Sequence, residues 1–102
     1  MQGLNVVSDE SASADTHLDR LIIAAKVRAA RAALGWSQGD LAREASVSQR
    51  SVLRIEQGAV DMRRSTMLAI EQILRQHGLA FEDLSDGGFR LTVPRDSLTE
   101  SK

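Results

Sequence analysis

Cysteine is absent from the 102-residue sequence, which excludes disulfides, thiolate metal sites and cysteine nucleophiles together. Histidine is scarce: His17 and His77 lie in separate parts of the chain, so a metal centre would have to be built almost wholly from carboxylates. No metal or cofactor is expected. No apolar run approaches the roughly 18 residues of a membrane span, and residues 1–14 lack the basic start and apolar stretch of a signal peptide. The expectation is a soluble, cytoplasmic protein. Net charge is nearly absent too, at 13 Lys and Arg against 14 Asp and Glu, which taken alone argues against a nucleic-acid partner.

What is present is unevenly placed. Residues 1–25 set Arg20 against Asp9, Glu10, Asp15 and Asp19, a net charge of -3. Residues 26–64 carry Lys26, Arg28, Arg31, Arg43, Arg50, Arg54, Arg63 and Arg64 against Asp40, Glu44, Glu56 and Asp61, a net charge of +4. Residues 65–102 return to -2. A basic middle therefore lies between two acidic ends. The length suits one small domain with flexible ends.

The polar, aperiodic start predicts a flexible acidic arm over residues 1–17. From Leu18 a helix is expected, with Ile23, Val27, Ala30 and Leu34 on one face and Gly35 as its stop. Ser37 caps a short second helix with Leu41, Ala42 and Ala45 inward. Ser48 caps a third helix running to about Gln57, apolar at Val52 and Ile55 and polar on its opposite side. After a polar loop, Ser65 is expected to cap a fourth helix carrying Met67, Ile70, Ile73 and Leu74, which Gly78 stops. The apolar period then shortens to two. Phe89, Leu91 and Val93 alternate with polar residues until Pro94, and with the extended stretch 79–84 they predict a hairpin over 79–94. A flexible tail, 95–102, completes the chain.

Residues 34–58 read L-G-W-S-Q-G-D-L-A-R-E-A-S-V-S-Q-R-S-V-L-R-I-E-Q-G. Two short helices joined by a tight turn, the second with an apolar inner stripe and a polar outer face, describe a helix-turn-helix. A major groove about 12 Å wide admits one helix, and only outer-face side chains near its start reach base edges. Gln49, Arg50 and Arg54 meet that geometry: arginine can donate twice to guanine, and glutamine can pair in two places with adenine. Leu53 shares the outer face and could pack on a thymine methyl, the alternative being an ordinary exposed leucine. Ser51 is a candidate phosphate donor or a plain first-turn serine.

Through L-G-W-S-Q, the L-A helix core, V-S-Q-R-S-V and I-E-Q-G, the segment from about Leu21 to Gly78 resembles the lambda-repressor-like (Cro/CI-type, XRE) family of DNA-binding domains. Ser46 departs from it, standing where the family usually has glycine in the turn. A hairpin replaces the fifth helix many members carry. The resemblance implies a mainly α fold, four helices in domain 18–78 and then the hairpin. It further implies a bacterial or phage-encoded transcriptional regulator, most simply a repressor. Gln38 matches a phosphate-contacting position, and Arg63 and Arg64 match residues that grip the DNA backbone. Arg28 and Arg43 are weaker backbone candidates, since a charged residue on a helix is usually a solvated face. Arg31 and Glu56 both face inward, so each needs the other, and the family carries a buried ion pair at matching positions.

One such helix reads too few base pairs for a genome, so a homodimer on a palindromic double-stranded site is expected. Phe81, Leu84, Phe89, Leu91 and Val93 are the candidate dimerisation residues; the alternative folds that apolar stripe back onto the chain's own helices. Two other functions are open: the antitoxin of a toxin-antitoxin pair, with a toxin as second partner, or a protein-interaction module that has lost DNA binding. Trp36 is expected to pack at the core or its rim, not to stack on bases. Asp40 and Glu44 read as the solvated side of a short helix. Ser48 with His77 lacks the strand-elbow context of a hydrolase, and no catalysis is expected.

Overall fold

The inward residues named above form a single cluster in the computed structural model, which describes residues 18–59 and 63–98 and, of residues 2–17, only their place in the first helix. Residues 2–17 of the expected flexible arm form the first part of α1, which starts well before the expected Leu18, and the end of the expected tail, 99–102, lies outside the described residues. Four helices precede a two-stranded hairpin: α1 Gln2–Leu34, α2 Gln38–Ala45, α3 Gln49–Glu56, α4 Arg64–Gln76, β1 Ala80–Asp83 and β2 Phe89–Thr92. Leu34, Leu41, Val52, Ile55 and Ile70 are fully buried where the four helices meet. Each such burial contributes about 1.5–3 kcal/mol. Among the described residues, no helix is long and apolar enough to cross a membrane.

The helix ends follow local chemistry in two places and depart from it in a third. Ser37 accepts from the Asp40 N–H while the Asp40 carboxylate accepts from the Ser37 N–H, a reciprocal cap that starts α2. Ser48 accepts from the Ser51 N–H and starts α3. For α4 the expectation fails: the helix begins at Arg64, and Arg63 is its N-cap, with no side-chain cap bond. Arg63 keeps an extended backbone (φ -73, ψ 137), so the chain is already helical when it reaches Ser65, whose hydroxyl then sits inside the first turn.

The hairpin is antiparallel, with Phe81 opposite Leu91 and Asp83 opposite Phe89. Leu84 donates to Gly88 across its turn at 2.8 Å. Phe81, Leu91 and Val93, partly buried, pack against the helical core, as in the folded-back arrangement. Lys26 fixes the hairpin to α1, its amino group 2.8 Å from Asp83 Oδ1 and 5.6 Å and 5.8 Å from the ring centres of Phe81 and Phe89. Gly78 links α4 to β1 at φ +82, and a Cβ there would stand 2.7 Å from the Pro94 ring. Beyond Pro94, where a free tail was expected, Arg95–Ser97 form one 3-10 turn, and the Ser97 hydroxyl donates to the His77 carbonyl.

Ser46 is the non-glycine residue with a left-handed backbone among those described, at φ 59. Its N–H closes α2 on the carbonyls of Ala42 and Arg43, and Val47 follows into the core. A side chain in this conformation costs about 1–2 kcal/mol, part of which glycine returns as unfolded-state entropy. Ser46→Gly is expected to stabilise the fold by about 0.5 kcal/mol, read as a higher urea midpoint with an unchanged slope.

Candidate nucleic-acid interface

The turn at Ser46 sets α3 across α2 with its first residues outward. Gln49, Arg50 and Leu53 are exposed, and Arg54 is half-buried one turn on. The α3 start holds no acidic residue in its first turn, so its partial positive charge and its outward side chains serve one surface. Gly39 brings α2 against that surface: a Cβ there would lie 3.3 Å from the Gln49 side-chain oxygen. Ser51 Oγ sits 2.8 Å from Ser48 Oγ, inside the cap. Arg63 and Arg64 are both exposed at the α4 start, which likewise has no acid in its first turn.

The far end of α3 is clamped by α1. Arg28, one of the weaker candidates for a backbone contact, donates through Nη1 to the Glu56 carbonyl at 2.8 Å. Glu56 is the last residue of α3. Arg20, to which the sequence analysis gave no role, donates through Nε to the Gly58 carbonyl at 3.2 Å. Arg28 meets the negative pole of the helix, where its last carbonyls lack helical partners, and Arg20 holds the chain two residues beyond it. Arg43 is exposed and paired with Asp40 at 2.6 Å. Asp40 is held below its ordinary value by the Ser37 N–H first and by Arg43 next.

Between these two ends lies a polar cluster. Arg31 meets Glu56 twice, Nε to Oε2 at 2.8 Å and Nη2 to Oε1 at 3.1 Å, and donates through Nη1 to the Trp36 carbonyl at 3.0 Å. The Glu56 side chain is only 5% exposed. Gln38 donates its amide N–H to Glu56 Oε1 at 3.0 Å, which leaves one amide hydrogen for the phosphate contact the resemblance implies. Trp36 presents its ring at 86° to His77, centroids 4.9 Å apart, so it packs at the core rim. Burial pushes the Glu56 carboxyl up; hydrogen bonds from Arg31 and Gln38 and the charges of Arg31 and Arg28 outweigh it, and the net pKa is lowered.

A short capped helix, a turn through a left-handed residue and a second helix presented by its outer face define a helix-turn-helix. The helix-turn-helix domain family matches residues 22–84, from within α1 to the hairpin turn and more than half of the chain, and the chain belongs to that family. It is accordingly a DNA-binding protein of a class that is not typically enzymatic. No curated protein and no solved structure matches the chain.

Arg31→Ala is expected to cost about 3 kcal/mol, because it leaves a buried carboxylate short of its main partner; urea unfolding measures it. Acid acts on the same cluster. Glu56 titrates lower folded than unfolded, so its contribution is complete above the unfolded value of about 4.5 and is lost as pH falls through the folded value. Stability measured between pH 6 and pH 3 (about the range where carboxylates protonate) is expected to fall more steeply for the native chain than for Glu56→Gln.

Proposed function

We propose that the chain is a sequence-specific transcriptional repressor of the lambda-repressor-like, Cro/CI type, binding a palindromic operator as a homodimer with α3 in the major groove. The observation that carries this reading is the outward presentation of Gln49, Arg50 and Leu53 at the capped, acid-free start of α3. Arg54 extends that face by one turn, and its guanidinium suits guanine. Arg63, Arg64 and the remaining Gln38 hydrogen serve the backbone, and Ser51 joins them where its hydroxyl leaves Ser48. The homodimer rests on arithmetic and on edges. One short helix covers only a half-site, and both strands of the two-stranded sheet have an unpaired edge of the kind that pairs with another chain.

Selection of bound sequences from a random DNA pool is expected to return two inverted half-sites about one helical turn apart. Arg50→Ala and Arg54→Ala are expected to relax base preference by about 1–3 kcal/mol, whereas Arg64→Ala weakens all sequences alike. Equal losses on every sequence from all three would remove the assignment of readers. Affinity is expected to fall steeply with salt, at about -0.9 in log-log slope per phosphate contact; a flat response would point to an interaction-only module.

A further inference from the structure

Helix α1 carries a second apolar stripe, on the side away from the core. Its inward residues are Ala24, Val27, Ala30 and Leu34, all buried. At about 100° per residue, Leu18, Ile22, Ala25, Ala29 and Ala32 fall on the opposite side, at steps of four, three, four and three residues. That alternation is the seam along which two helices pack. Leu18 and the neighbouring Leu21 are 55% and 48% exposed, Ala32 is exposed, and Ile22, Ala25 and Ala29 are half-buried. No charged residue stands in the stripe; Asp19 and Lys26 flank it on one side and Arg28 on the other. The helix also outruns its packing. It reaches back to Gln2, while Ala24 is its first buried residue among those described, and a polar helix without a partner is marginal in water.

We propose that this outer stripe is the homodimer seam, occupied by α1 of a second copy running antiparallel about a two-fold axis near Leu21. The inference rests on the homodimer reading above and names its surface. Charge distinguishes the occupant. All four acids of α1, Asp9, Glu10, Asp15 and Asp19, precede all four of its bases, Arg20, Lys26, Arg28 and Arg31. An antiparallel copy sets the acidic part of each helix along the basic part of the other and opposes the two macrodipoles; a parallel copy would set acid beside acid. A partner of one charge sign, nucleic acid included, would match one part and oppose the other. Two of the flanking charges are open to the copy. Asp19 is exposed and forms no ion pair with a described residue, and Arg28, also exposed, meets a neutral carbonyl. Alanine at three of the five seam positions lets the helix axes come close. The seam shares no residue with α3, which stays free for DNA.

The absence of cysteine makes the register testable in the full chain, because an introduced thiol can pair only with its own copy. Leu21→Cys is expected to give a reducible dimer under mild copper-phenanthroline oxidation. Ala32→Cys, whose two copies would lie about 30 Å apart across the axis, is expected to remain monomeric on a non-reducing gel. Crosslinking of both, the mark of a parallel pair, overturns the proposal, as does crosslinking of neither or of Ala32→Cys alone. Sedimentation of the native chain is expected to show a dimer at micromolar concentration. Ala25→Glu should weaken it roughly a hundredfold, since it buries an unpaired carboxylate in the seam, with helical circular dichroism retained. A native monomer sinks the idea, and a dimer that Ala25→Glu leaves intact moves the contact to the hairpin edges. Selection of DNA in parallel separates the two readings. Inverted half-sites bound equally by the native chain and Ala25→Glu keep the operator reading and remove this one, whereas an α1-dependent dimer that selects no DNA does the reverse.

Discussion

The bond between Arg31 and Glu56 is the constraint on which the other arrangements depend. A carboxylate with its side chain 5% exposed is tolerable only when its lone pairs are occupied, and here Arg31 and Gln38 occupy them. Those partners come from α1 and from the start of α2, while the carboxylate belongs to the last residue of α3. One group therefore fixes three helices relative to each other. The third donor of Arg31 reaches the Trp36 carbonyl and ties in the link between α1 and α2. Apolar packing alone sets distances between helices but is indifferent to small rotations; a two-toothed pair is not. Among the described residues, no buried side-chain polar atom lacks a partner, so the cluster orients the fold without leaving an unmet group.

The consequence for α3 is that it is defined at both ends by different means. Its start is a serine cap, local in sequence, which leaves the first side chains outward. Its end is gripped from α1, by Arg28 on the Glu56 carbonyl and Arg20 at Gly58. A helix of 8 residues would not persist alone in water, and these tertiary contacts supply what its length cannot. The cations that α1 brings to its C-terminus thus serve orientation, whereas Arg50, Arg63 and Arg64 stay exposed. The near-zero net charge of the chain hides this division, because the acidic residues lie mostly outside the basic middle.

The hairpin shows the same economy on the other side of the core. Its apolar stripe is covered by the chain's own helices, and Lys26 spans from α1 to Asp83 over both phenylalanine rings. The outer face carries the Arg90–Glu82 pair, at 2.9 Å and exposed, which is worth little in energy. The hairpin holds on by burial and by one lysine.

The elements were legible because their signals are local. Ser37 and Ser48 cap where serine accepts from the backbone two or three residues on; the periods of 3.6 and 2 separate the helices from the hairpin; and two inward charges of opposite sign at Arg31 and Glu56 demanded each other. The α4 start differs from the Ser65 cap because a capping residue is only one of the forces on a helix end, and here the helix begins two residues earlier, with Arg63 as its N-cap. Arg20, Lys26 and Arg28 could not be assigned from sequence. A long cation on a helix surface reads the same whether its head meets water, a phosphate or a carbonyl from an element 28 residues away. The sequence by itself determined which residues face inward and which helix presents a polar outer face, since periodicity and caps act within a few residues. Only the tertiary structure decided which cations hold the fold and which remain outward, because that depends on where distant backbone carbonyls and carboxylates come to rest.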